Sequence, residues 1–67
     1  MMDEKIKELI ALGASMACNC HPCVKFHTDK ARKMGIDNAK IKMAYDIGQM
    51  VRKGAAGQMD ELLNDLL

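Results

Sequence analysis

Tryptophan is absent from this sequence, and its aromatic residues are one phenylalanine and one tyrosine. A core must therefore be assembled from Leu, Ile, Met, Val and Ala, each of which buries a modest area. No run of about 20 apolar residues occurs, which argues against a membrane-spanning helix. Neither sign of charge dominates: ten basic and nine acidic residues are interspersed and leave a net charge of +1. Without a basic block or an aromatic-basic stripe, neither nucleic acid nor an anionic membrane surface is an expected partner. The opening residues Met1-Met2-Asp3-Glu4-Lys5 lack the apolar stretch of a signal peptide, so a cytoplasmic location with reduced thiols is expected. Cysteine is confined to Cys18, Cys20 and Cys23, a span too short for disulfides to tie distant segments together.

At 67 residues the chain reads as one domain, residues 1–67, near the lower size limit for folding alone. A single core of this size supplies about 3–5 kcal/mol, so a staple or a partner is expected. Oligomerisation through the helices is favoured over a metal.

The apolar spacing predicts an all-α fold of four helices, with no strand-like alternation. Asp3 is placed as the N-cap of a first helix carrying Ile6, Leu9, Ile10, Gly13 and Ala17, its stripe widened by Leu12 and Met16. Pro22 suits the first turn of a second helix, with Cys23, Phe26, Ala31 and Met34 as its apolar face and Gly35 as a left-handed stop. Asp37 is placed as the cap of a third helix running to about Lys53. Ile41, Ala44, Tyr45, Gly48 and Val51 mark one of its faces, and Met43, Ile47 and Met50 an adjacent one. That breadth predicts a central helix packed on two sides, with a close crossing at Gly48. Gly54-Ala55-Ala56-Gly57 reads as a break before a fourth helix, whose Met59, Leu62, Leu63, Leu66 and Leu67 suggest docking against another subunit.

Residues 17–27 contain every cysteine and both histidines of the chain. One reading is a redox dithiol, Cys20-His21-Pro22-Cys23. A helix start stabilises thiolate through free backbone N–H groups, and i, i+3 spacing brings both sulfurs to one side of the first turn. His27, four residues after Cys23, shares that face and can take a proton from the pair. The rival reading is a zinc or iron site of three thiolates and an imidazole, Cys18, Cys20, Cys23 and His27. Against it, all four ligands come from one short segment. A non-catalytic helical assembly unit is the third possibility.

Glu8, followed twelve residues later by Cys20-x-x-Cys23-x-x-x-His27 and then by Ala31-Arg32-Lys33-Met34-Gly35, resembles the alkylhydroperoxidase D / carboxymuconolactone decarboxylase family. The resemblance covers roughly residues 4–54. It implies an all-helical fold, assembly into trimers, hexamers or related oligomers, and a CxxC pair that reduces peroxides or passes electrons to a partner. It also implies that Glu8 and His27 relay protons to Cys20 and Cys23. Three features depart from the pattern: the chain is short, His21 directly follows the first cysteine, and Cys18 is additional. The family's decarboxylase branch is not built around a CxxC.

The expected activity is therefore that of a CxxC-dependent peroxidase or disulfide oxidoreductase. Its substrate is a hydroperoxide or a disulfide. Helical spacing favours Cys23 as the thiol that His27 activates, whereas Pro22 just before Cys23 echoes thioredoxin-like motifs, in which the first cysteine, here Cys20, attacks. No cofactor motif appears, so the reductant is another protein or a small thiol. His21, Cys18, Ser15 and Tyr45 are candidate tuning residues. Each also has a plainer role: His21 as an exposed turn residue, Cys18 as a small buried hydrophobe, Ser15 bonded to its own helix, and Tyr45 as core.

Overall fold

Three helices, α1 (Glu4–Ala17), α2 (His21–Lys33) and α3 (Asn38–Leu66), form the fold in a computed structural model that describes residues 2–67. The all-α expectation holds, with no strand among the described residues. The expected starts hold too. The Asp3 carboxylate accepts from the Lys5 amide at 2.7 Å, and the Asp37 carboxylate accepts from the Lys40 amide at 3.0 Å. Both satisfy N–H groups that a helix start leaves unpaired.

The helix stops are equally local. Gly35 takes φ +81, the Ile36 amide reaches back to the Ala31 carbonyl, and the Gly35 amide to that of Arg32. These paired bonds around a left-handed residue form a Schellman motif. The same motif ends α1 without a glycine: Asn19 adopts φ 58, its amide bonds the Met16 carbonyl, and the Cys20 amide bonds that of Ser15. Asparagine is among the few residues that tolerate this conformation.

The prediction of four helices was wrong. Gly54 to Gly57 stay helical, and α3 runs unbroken for 29 residues. Two interior glycines cost about 1 kcal/mol each relative to alanine. Stopping would forfeit backbone bonds, and restarting would require a second unfavourable nucleation. With no proline nearby, continuation wins.

The central helix is also α1, not the third helix as its broad apolar face suggested. α1 packs against both neighbours, while α2 and α3 meet only lightly. α2 runs antiparallel to α1, and α3 lies alongside α1 in the same direction, Gly13 facing Ala44 and Met16 facing Gly48 and Arg52. The close crossing expected at Gly48 is present: a Cβ there would overlap the Gly13 carbonyl and lie 2.6 Å from Met16 Cβ. Leu12, Ala31, Ile36, Ile41 and Ala44 form the buried core, with Leu9, Val24, Met34 and Tyr45 packed around it.

Phe26, expected on the apolar face of α2, is 61% exposed. Ile6, Ile10, Met43, Ile47 and Val51 are about half exposed along an open groove of about 540 Å³ between α1 and α3. Beyond Arg52, α3 projects past the end of α1, and every residue from 53 to 67 is exposed. Within this overhang Met59, Leu62, Leu63 and Leu66 form an uncovered apolar stripe. The molecule is correspondingly elongated, 50 × 25 × 20 Å. Among the described residues, no helix is long and apolar enough to cross a membrane.

Candidate functional site

Cys20 lies where two helices share a residue. It closes the Schellman motif of α1 through its amide and is the N-cap of α2, with extended backbone at φ −87 and ψ 93. Its carbonyl accepts from the Val24 amide, and Pro22 occupies the first turn, where a missing N–H leaves no bond unmade. Cys23 follows in that turn, its Cα 5.2 Å from that of Cys20, and the two sulfurs are joined as a disulfide. Both cysteines are half-buried.

His27 is on the next turn of α2. Its Nδ1 lies 2.6 Å from Glu8 Oε1 on α1, across the interface between the two helices. Glu8 is only 4% exposed. A buried carboxylate is costly unless paired and hydrogen-bonded, and Glu8 has two partners, His27 and the Lys30 ammonium at 3.6 Å from Oε2. Among the described residues, no buried side-chain nitrogen or oxygen is left without a partner. With the carboxylate accepting, the ring proton sits on Nδ1 and Nε2 remains as a proton acceptor. Glu8, Leu12 and Ser15 share one buried face of α1 at i, i+4, i+7 spacing, so the antiparallel α2 brings His27 opposite Glu8.

The remaining candidates fall into different places. Tyr45 OH and Thr28 Oγ1, one residue from His27, share a hydrogen bond of 2.5 Å that ties α3 to α2. Ser15 takes the plain role: its Oγ donates to the Ala11 carbonyl at 2.7 Å, and its own carbonyl receives the Cys20 amide. His21 is exposed. Cys18, expected as a buried hydrophobe, is exposed because it caps the end of α1, and its thiol points to the Ser15 carbonyl at 3.6 Å.

Among the described residues, no three His, Cys, Asp or Glu side chains gather into a metal-holding group. Of the four candidate ligands, Cys20 and Cys23 are bonded to each other, and His27 is engaged by Glu8.

Three contributors escaped the sequence reading. Lys30 continues the Cys23–His27 face at i+7, a signal that helical spacing alone carries. Thr28 is buried and gave no such sign. Arg52 comes from 36 positions away to donate from Nη1 to the Met16 carbonyl at 3.1 Å and to Asn19 Oδ1 at 2.7 Å, clamping the loop that holds Cys20. Nothing local announces a contact of that range.

The sequence model of the Carboxymuconolactone decarboxylase family matches residues 2–58. A curated protein of Paracoccus denitrificans, "Uncharacterized protein 4 in cox locus", is 33% identical over 55 residues, covering 82% of this chain and 50% of that protein. The chain thus spans about half the length of this relative. No solved structure matches it.

Proposed function

Because the chain belongs to the carboxymuconolactone decarboxylase family, we propose that it is a thiol-dependent redox protein whose working group is the Cys20–Cys23 pair. The observation that carries this reading is the buried Glu8–His27 contact on the helix face that also bears Cys23, beside two cysteines already at bonding distance. A buried carboxylate that orients an imidazole next to a dithiol is the arrangement that activation of a thiol requires.

In the reduced protein, His27 Nε2 takes the proton of Cys23 while Glu8 holds the ring and balances the imidazolium. The thiolate attacks the outer oxygen of a hydroperoxide, giving a sulfenic acid and releasing alcohol. The Cys20 thiol then displaces water and closes the disulfide. In sum, two thiols and ROOH become one disulfide, ROH and H₂O. With a disulfide substrate, the thiolate forms a mixed disulfide, Cys20 resolves it, and two substrate thiols leave. A reducing compartment such as the cytoplasm suits the return step.

The test begins with fully reduced protein. Adding hydroperoxide or a small disulfide should close Cys20–Cys23, mapped by mass spectrometry, with one alcohol or two thiols released per protein. Retention of full turnover by a Cys20→Ser/Cys23→Ser variant would overturn the proposal.

We further propose that a second copy of the chain covers the exposed apolar surfaces. The α3 overhang and the α1–α3 groove are both unpartnered; past Lys53 the charges of the overhang are all acidic, Asp60, Glu61 and Asp65, while Lys40 lines the groove. An apolar stripe laid into an apolar groove is a recurring mode of helix recognition. Light scattering during size-exclusion chromatography reads the outcome directly, and a monomer at all concentrations would reject it.

A further inference from the structure

A second cavity, of about 320 Å³, is lined by Ser15, Met16, Asn19, His21, Val24, Lys25 and Arg52. Asn19, His21 and Val24 are the chain neighbours of Cys20 and Cys23, so the cavity borders the disulfide-bearing turn. Its charged lining is entirely basic. Among the described residues neither Lys25 nor Arg52 has a carboxylate partner, whereas Lys7, Lys30, Lys33 and Lys42 all do. Arg52 is nevertheless held in place, because Nη1 is fixed by Met16 and Asn19. Its Nε and Nη2 make no hydrogen bond among the described residues, and that edge of a guanidinium matches the two oxygens of a carboxylate.

We infer that this cavity binds the carboxylate of a small thiol, and that such a thiol is the reductant that reopens Cys20–Cys23. The inference rests on the redox reading above and supplies the class of its reductant. Arg52 and Lys25 hold the carboxylate while the thiolate of the same molecule attacks one sulfur of the disulfide. That forms a mixed disulfide and releases the other cysteine as a thiolate, which takes up a proton. A second reductant thiol attacks the mixed disulfide, so two RSH and the protein disulfide become RSSR and two protein thiols. Lys25 and Arg52 touch the ligand and not the reacting sulfurs, so they set affinity and on-rate.

The oxidised protein is mixed with 3-mercaptopropionate or with 2-mercaptoethanol, and loss of the disulfide is followed in time. Intrinsic thiol reactivity cancels when the ratio of the two rates is compared between wild type and Lys25→Glu, an exposed substitution outside the core. The ratio should fall about three- to tenfold in the variant, and high salt should bring the wild type down to the variant's value. An unchanged ratio in Lys25→Glu overturns the inference.

A separate readout uses propionate, which carries the carboxylate without the thiol. Titrated into the oxidised protein, it should shift the backbone amide signals of Asn19, His21, Val24 and Lys25, and those shifts should vanish in Lys25→Glu. Equal shifts in wild type and variant, or none in either, reject the site. If the propionate site is present but no oxidant ever closes Cys20–Cys23, the redox reading fails while the anion pocket stands.

Discussion

The two faces of α1 invert the usual distribution of polarity. Toward α2 it buries a carboxylate and a serine with a single leucine between them, Glu8, Leu12 and Ser15. Toward α3 and beyond, it leaves Ile6 and Ile10 about half exposed along an open groove. A small domain with few large side chains has spent its best-covered surface on a polar contact and left aliphatic surface uncovered. Burial strengthens the electrostatic coupling of Glu8 to His27, which suits chemistry. Exposed aliphatic surface of this extent suits association. One face of the helix carries the proposed redox contact, the other the proposed docking surface.

The comparison breaks most visibly at His27. His27→Ala should slow closure of the reduced Cys20–Cys23 pair by peroxide about 10²–10⁴-fold, the usual worth of a positioned general base. Glu8→Gln, which keeps a hydrogen bond but removes the charge, should slow it less. Stopped-flow measurement of thiol loss tests both, and wild-type rates in His27→Ala would mean that the polar face is structural only.

Next in size is the α1–α3 crossing. Gly48→Val forces a branched side chain against the Gly13 carbonyl, at a cost of about 1–3 kcal/mol or more for an overpacked site. For a domain this small, each kcal/mol lowers Tm by about 4–8 °C, which a thermal melt will show. The association arm is sharpened by Leu62→Glu/Leu66→Glu. This pair should abolish the proposed self-association in light scattering while leaving thiol reactivity unchanged. Smallest of all, Gly54→Ala and Gly57→Ala should each stabilise by about 0.5–1 kcal/mol, because both positions are helical. Destabilisation in denaturant unfolding would contradict an unbroken α3 through these two positions.

Much of this was legible in the chain because the determinants are local. Asp3, Asp37, Pro22 and Gly35 each mark a helix end through the backbone groups within a few residues. Glu8 and His27 belong together only once α1 and α2 are known to run antiparallel, and the resemblance pointed to them before any contact was visible. The misreadings share a cause. Gly54 and Gly57 look like a break because propensity counts residues one at a time, whereas continuing a long helix is cooperative. The breadth of apolar surface on α3 looked like burial on two sides, but pattern alone does not distinguish a surface covered by its own chain from one left open. Cys18 was misplaced because the left-handed turn at Asn19 ends α1 one residue before it. That turn was readable from an asparagine after an apolar helix, although no glycine marked it.

Gly48 has one further consequence. Because the two helices touch there almost backbone to backbone, it is the fulcrum of a lever whose long arm is the remainder of α3, about 27 Å at roughly 1.5 Å per residue. A tilt of about 5° at such a pivot moves the far end, with its exposed apolar stripe, by about 2 Å. The absence of one methyl group at Gly48 thus sets where Leu66 points, and a substitution there would be felt first at the opposite end of the molecule.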